Sequence, residues 1–418
     1  MQRILMMMLA SAALALPAHA QQLLVPMDDA QTDHLKAYGL AYWVLDQRQT
    51  AEWLLNYRAG SFLLPDRPEV RREAALRGVT TVALGDADVA QLAATIAQSN
   101  MERIILEKAP RVAVYTPSNV NPWDDAVTLA LTYAEIPYEK LWDPEVLQGR
   151  LREYDWLHLH HEDFTGQYSK FYINYAGAPW LREAVQQNQA IATQFGMADV
   201  PQLKKAVAEA LRHYVAEGGF LFAMCAATET LELALAAMGV DIAAPFADGT
   251  GIDPDASEKL QWDRTFAFRD AVVQVNASVN AFSDIDGHQV NTAWRQPLGA
   301  FSLFDFSPRF DPVPAMLVQN HEAVIGDFYG LTTSFRRDRL KRDVIVLAEE
   351  EGAGWAKYLH GNYGEGTWTY LGGHDPEDPQ HQVGDEPTDL SLHPHSPGYR
   401  LILNNVLFPA AKKKTLKT

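Results

Sequence analysis

Cys225 is the single cysteine of the 418-residue chain, and the residues around it have the pattern of a nucleophile at a turn. Gly218-Gly219 closes a helical stretch, Phe220 to Met224 is an apolar run, and Ala223-Met224-Cys225-Ala226-Ala227 leads directly into a second helical stretch. Small residues two before and two after a nucleophile suit a sharp strand-to-helix elbow, because larger side chains would meet the neighbouring strand and helix. A helix N-terminus beneath the thiol would lower its pKa, and the Ala226 amide would serve as one oxyanion donor. The same pattern fits a buried structural cysteine at a strand end.

A partner for such a thiol is His374. It follows Tyr370-Leu371-Gly372-Gly373, so it stands at the C-terminal end of a strand, the edge where ligands bind in open α/β folds. Asp375 and Glu377 are both near enough in sequence to orient its imidazole. The plainer account of His374 is a loop histidine that bonds backbone groups.

Histidines make a second cluster. His158 and His160 alternate along one apolar strand and so share a face, and His161, Glu162 and Asp163 follow at its C-terminal end. On a common rim with Cys225 and His374, the residues His158, His160, His161 and Glu162 are expected to contact a ligand. The donors also suit Zn²⁺, with Cys225 as a thiolate ligand. No His-Glu-x-x-His pattern occurs, and neither a metal site nor a cofactor is assigned. His381, His393 and His395 sit in a Pro- and Asp-rich loop.

The elements that must position these residues alternate along the chain. Strands at Leu23–Met27, Trp53–Tyr57 and Val79–Leu84 are interleaved with helices at Thr32–Leu45, Pro68–Leu76 and Ala87–Gln98. A second run has strands at Arg111–Tyr115, Asp155–His160 and Phe220–Met224, with helices at Trp123–Ala134, Val200–Glu217 and Ala227–Ala237. Such alternation predicts an α/β fold of parallel sheets covered by helices. A smaller N-terminal α/β unit over 21–108 then precedes a larger one over 109–410.

Between about 239 and 343 the helical periodicity lapses. Strand-like pieces at Ala271–Val275, Gly299–Phe304, Ala315–Val318 and Ala323–Phe328 predict a β-rich insertion there. Strands at Val344–Ala348 and Gly366–Tyr370 and a helix at Tyr399–Val406 complete the larger unit, and 411–418 is a solvated basic tail. Asp28, Asp29 and Asp33 are placed to cap the helix near Thr32. Tyr38, Trp43, Trp53 and Tyr57 read as core aromatics, and Asn56, Arg58 and Ser61 as a turn.

The ends and the charge bound the setting. Arg3, the apolar run Ile4–Leu16 and Ala18-His19-Ala20 read as a cleavable signal peptide over 1–20, which predicts export to the periplasm or beyond with Gln21 leading the mature chain. That run is shorter than the roughly 20 residues a spanning helix needs, so no membrane span is expected. With 35 Lys plus Arg against 53 Asp plus Glu, the net charge is −18. This excludes nucleic acid as the main partner. A lone cysteine excludes an internal disulfide.

Strand, cysteine elbow, helix and a distant strand ending in His-plus-acid together resemble the class I glutamine amidotransferase-like fold, a flavodoxin-like three-layer arrangement, over about Arg111 to Pro409. Gly364 to Glu377, with Ser396-Pro397-Gly398-Tyr399-Arg400 ahead of the last helix, is similar to the ending of its ThuA-like, trehalose-utilisation branch. Met27 to Gly39 and Trp53 to Arg58 look like a group of exported bacterial proteins that often carry the label asparagine synthetase B. Asparagine synthetase proper needs an N-terminal nucleophilic cysteine and an ATP-binding Ser-Gly-Gly-x-Asp-Ser loop. Neither occurs in this sequence, so ATP-dependent asparagine synthesis is not expected.

The glutaminase pattern is incomplete as well. Ala223 and Ala227 stand where glutaminases carry Gly, Asp375 or Glu377 replaces the acid of His-x-Glu, and Leu157 to Asp163 replaces a Gly-Gly oxyanion loop. The resemblance implies Cys225 as nucleophile, His374 as proton shuttle and Glu377 or Asp375 as the orienting acid, for hydrolysis of an amide or related bond. One alternative is a non-catalytic module that binds a small molecule, a carbohydrate or cell-envelope material. Another is a metal-dependent hydrolase.

Overall fold

The computed structural model describes residues 22–117, 125–170, 175–276, 279, 281–288, 299–328, 330–378 and 386–412. Residues 1–21, where the signal peptide is expected, His381 and the tail beyond Lys412 lie outside the described residues.

The N-terminal unit contains β1 (Gln22–Val25), α1 (His34–Asp46), β2 (Ala51–Leu55), β3 (Ser61–Pro65), α2 (Pro68–Arg77), β4 (Val82–Leu84), α3 (Asp86–Gln98) and β5 (Glu102–Leu106). Its strands lie in the order β4-β1-β3-β2-β5. Every pairing is antiparallel, which corrects the parallel sheet expected here. The cause is β3, a strand the alternation did not reveal. It is joined to β2 through Asn56–Gly60, where Asn56, Arg58, Ala59 and Gly60 all have positive φ. So tight a link makes a hairpin, whereas a parallel return needs a crossover of about a dozen residues or more. Leu23 and Val25 face the α1 side while Leu24 faces α3, so both faces are covered. Asp33 caps α1 by accepting the Lys36 N–H at 2.8 Å, whereas Asp28 pairs with Arg58 at 2.6 Å.

The larger unit is built on a mixed sheet. Its strands are β6 (Val112–Tyr115), β7 (Glu139–Leu141), β8 (Trp156–Leu159), β9 (Phe220–Met224), β10 (Ala300–Leu303), β11 (Val324–Gly326), β12 (Ile345–Glu350), β13 (Ala356–Tyr363) and β14 (Gly366–Leu371). The order is β11-β10-β12-β13-β14-β9-β8-β6-β7. From β14 to β7 the sheet is parallel, and β13, β12, β10 and β11 extend it antiparallel. The Gly364-Glu365 turn makes β13 and β14 a hairpin, with Gly364 at φ 59°. The insertion thus supplies β10 and β11 to the sheet edge. Ala315–Val318 is not a strand: Pro312 opens a short helix, Pro312–Leu317, at a position where its missing N–H costs nothing. Ala271–Val275 makes only an isolated bridge between Val273 and Ser283.

Helices cover both faces of this sheet. They include α4 (Ala126–Tyr133), α5 (Asp143–Leu147), α6 (Pro179–Gln194), α7 (Val200–Ala216), α8 (Ala227–Ala236) and, after the short helix of the insertion, α9 (Pro397–Leu407). Phe220, Phe222 and Met224 of β9 pack with α4 and α9, while Leu221 and Ala223 pack with α7 and α8. A strand buried on both faces reads as a continuous apolar run, as Phe220 to Met224 does. The layer of α1, α4 and α9 lies between the two sheets. Within it Arg400 of α9 is fully buried and donates to Met27 O at 2.9 Å, to Tyr38 Oη at 3.2 Å and to Ala59 O. The two units therefore share one core. Among the described residues no helix is long and apolar enough to cross a membrane.

Candidate functional site

The parallel register brings three strand ends together. Leu371 of β14 lies opposite Met224 of β9, and Leu159 of β8 lies opposite Ala223. Cys225, His374 and His160 consequently emerge at the same C-terminal edge. Cys225 has φ 49°, a left-handed conformation that costs a non-glycine residue about 1–3 kcal/mol and is found at strained functional turns. Gly330 sits over it at φ 155°. A Cβ added there would lie 2.8 Å from Cys225 Sγ and 2.9 Å from His374 Cδ2. The thiol and the imidazole thus converge on one point that only glycine leaves open.

His374 has its Nδ1 2.7 Å from Asp375 Oδ2, and its Cδ2 lies at the Gly330 position that the thiol also approaches. Asp375 is buried. Glu377 lies instead 3.2 Å from His393 Nδ1, so of the two acids Asp375 is the one on the imidazole. The side chain of His374 is 17% exposed, but Cys225 is only 1% exposed. Burial pushes the Cys225 thiol up to about 11, against the backbone N–H groups of Leu331, Thr332 and Ala226, which favour the thiolate. This reverses the lowered pKa expected of a thiol at a helix N-terminus. Desolvation outweighs the helix end in this closed arrangement.

The residues that close it are held from below. Leu331 N–H donates to Cys225 Sγ at 3.3 Å. Thr332 Oγ1 donates to Glu229 at 2.9 Å, and Glu229 accepts a second hydroxyl, Ser283 Oγ, at 2.5 Å. Lys357, fully buried, donates to Thr333 O at 2.6 Å and is ion-paired with Asp327. Gly373 N–H donates to Thr332 O at 2.8 Å, tying the same segment to the loop that carries His374.

His158 and His160 meet at a residue that the sequence pattern did not single out, Asp125. His158 Nε2 is 3.2 Å and His160 Nδ1 3.5 Å from Asp125 Oδ1. The His160 ring stands 5.1 Å from that of His374, centroid to centroid, and 4.5 Å from that of His161, which is exposed. Glu162 is turned back to accept the His160 N–H at 2.8 Å, and burial pushes its carboxyl up to about 8. Asp163 folds into its own loop and accepts from Thr165, Gln167 and Ser169. The expected ligand-facing set therefore divides. His158 and His160 point inward with Asp125, His161 faces outward, and Glu162 is bound to backbone. Ala226 presents its amide to the sulfur at the start of α8.

Asp125, Glu229, Gly330 and Lys357 complete the site and were not candidates from sequence. Asp125 carried a signal, since an Asp near the start of a helical run suits a cap: the helix begins at Ala126 rather than the expected Trp123, and Asp125 accepts the Val127 N–H at 2.8 Å. Glu229 stands one helical turn beyond Cys225. Gly330 and Lys357 gave none, because their roles arise where the insertion meets β13.

No protein-family model and no curated protein sequence matches the chain. Among solved structures, Cytoplasmic Protein STM3548 from Salmonella typhimurium is similar at 10% identity and a TM-score of 0.37, covering 72% of this chain and 100% of its own. Cytoplasmic Protein STM1381 from Salmonella typhimurium LT2 gives 11% identity, a TM-score of 0.36 and the same coverage. The exo-beta-1,4-mannosidase Op5Man5 from Opitutaceae bacterium strain TAV5 gives 12% identity and a TM-score of 0.27, with 63% of this chain and 31% of the other covered. Likeness at this level carries no activity across.

Proposed function

We propose that this chain is an exported, ThuA-like member of the class I glutamine amidotransferase-like proteins and a cysteine-dependent hydrolase of an amide or related bond. The observation that supports it is the left-handed Cys225 at the end of β9, whose sulfur shares the Gly330 contact with the imidazole of His374. In this reading His374 takes the thiol proton through Nε2 while Asp375 holds Nδ1. The thiolate adds to the substrate carbonyl, the C–N bond breaks, and the leaving amine takes the proton back from His374. Water then cleaves the thioester, giving the acid and the free thiol. The amides of Ala226 and Leu331 are the nearest donors for a developing oxyanion. Because the thiol is buried and its pKa raised, the reading requires the Gly330–Ser334 segment to move aside when a ligand enters.

The same burial favours a second reading, a binding module for a small molecule or cell-envelope carbohydrate that keeps the elbow without turnover. One experiment separates them. The full chain is offered a panel of carboxamides, glutamine among them, and released ammonia or amine is measured beside the alkylation rate of Cys225. Hydrolysis that is abolished in Cys225→Ser and falls at least about 100-fold in His374→Ala is the expected result. A wild-type chain that releases no amine, and whose thiol stays unreactive with every panel member present, leaves the binding module.

A further inference from the structure

The histidine cluster poses a problem of hydrogen-bond chemistry. His158 Nδ1 lies 3.2 Å from the backbone oxygen of Phe222, and that oxygen can only accept, so Nδ1 carries a proton. His158 Nε2 lies 3.2 Å from Asp125 Oδ1, another atom that only accepts while the carboxyl is ionised. Two acceptors thus face one imidazole inside a fully buried site, and a cation between Nε2 and Oδ1 would satisfy both atoms.

His160 adds an independent sign. It is 2% exposed, and among the described residues neither of its ring nitrogens has a hydrogen-bond partner. One donor atom from each of Asp125, His158 and His160 lies within 4.8 Å of the others. Two imidazole nitrogens and a carboxylate oxygen thus converge in one buried place.

We infer that Asp125, His158 and His160 form a binding site for one divalent first-row cation, adjacent to but separate from the Cys225–His374 pair. Two imidazoles and one carboxylate are the donor set for zinc and its neighbours, and three protein ligands leave at least one position open for water or a ligand group. The surroundings are those of a metal site. The Phe222 carbonyl on His158 Nδ1 fixes the tautomer that frees Nε2, and the Val127 N–H on Asp125 fixes the carboxylate. A second trio, His288, Asp327 and Glu350, is different. Lys357 already pairs with Asp327 there, and His288 Nε2 lies 2.8 Å from Glu350, so its charges are met without an added ion.

The site does not depend on the thiol chemistry proposed above, and its test keeps the two apart. The full chain, stripped with a chelator and dialysed, is titrated with Zn²⁺ by calorimetry and with Co²⁺ by visible absorption. The expected result is one ion per chain, with d–d bands of nitrogen and oxygen coordination and no thiolate charge-transfer band. Cys225→Ser should bind as the wild type does, and His160→Gln and Asp125→Asn at least about 100-fold more weakly. Circular dichroism checks that each variant is folded. Should a variant fail to fold, the titrations of the wild type and of Cys225→Ser still decide. Failure of the folded wild type to bind either ion would overturn the inference and leave the three residues as a buried polar cluster. A cobalt–thiolate band that vanishes in Cys225→Ser would overturn it as well, by placing the ion on the cysteine.

Discussion

His374 Nδ1 lies 2.7 Å from the carboxylate of Asp375, its own neighbour in sequence, while Glu377 two positions further on turns away to His393. The carboxylate beside the imidazole is thus placed by the backbone that carries the imidazole, directly after the Gly372-Gly373 turn. If the pair serves amide hydrolysis, the two acids separate in a mutant comparison. Asp375→Asn should lower amide turnover by roughly 100-fold or more, because the wrong tautomer or ring orientation follows from its loss. Glu377→Gln should change it by less than about tenfold. Equal losses in steady-state assays would remove Asp375 from its positioning role.

Lys357 joins stability to access at the thiol. Its ammonium, fully buried, is paired with Asp327 and donates to Thr333 O in the segment that closes over Cys225. Lys357→Met would leave the Asp327 charge buried and unpaired, a loss of about 3–5 kcal/mol. It should also loosen that segment, so alkylation of Cys225 at neutral pH is expected to rise at least about tenfold under conditions where the chain stays folded. Adding Asp327→Asn should recover part of the stability without restoring the slow alkylation. Denaturant unfolding and timed iodoacetamide labelling read the two effects separately.

Much of the architecture was legible because period and composition report burial directly. Phe220 to Met224 reads as a doubly buried strand, and the strand-end positions of Cys225 and His374 follow from it. What stayed hidden were the hairpins. β3 and β13 have no helix between them and their partners, so a rule of alternation passes over both and assigns the wrong direction to the N-terminal sheet. The site was legible where one element carries its chemistry and illegible where several meet. Asp125, Glu229 and Lys357 reach the site from α4, α8 and β13, and only the folded chain brings them to the rim of Cys225.

Arg400 should couple the two units in unfolding. Its guanidinium, buried in the layer between the sheets, donates to Met27 O and Ala59 O of the N-terminal unit while its own helix covers the larger sheet. Arg400→Met would strand both carbonyls, at roughly 1–3 kcal/mol for each buried group left without a donor. A single denaturant transition in the wild type, shifted as a whole to lower denaturant in the variant, is expected. Two resolved transitions in the wild type, only one of them moved by the substitution, would show that the shared core does not bind the units into one cooperative structure.

His360 gives a pH signature that can be isolated by substitution. It is fully buried in β13 beside Thr369, and burial lowers its imidazole from the ordinary 6.5 to about 4. The folded chain therefore keeps this ring neutral while the unfolded chain takes up a proton as the pH falls below 6.5. Stability from this residue is complete above that pH and is lost progressively down to about 4, a loss of roughly 3 kcal/mol in all. Other groups add slopes of their own, some of opposite sign, such as the buried carboxyls of Glu229 and Glu232, which burial raises. The comparison with His360→Gln cancels them. Between pH 6.5 and 4 the variant should lose stability less steeply than the wild type by about one proton, or about 1.4 kcal/mol per pH unit. Urea unfolding at half-unit pH steps measures the difference, and parallel slopes for the two proteins would mean that His360 titrates normally in the folded chain.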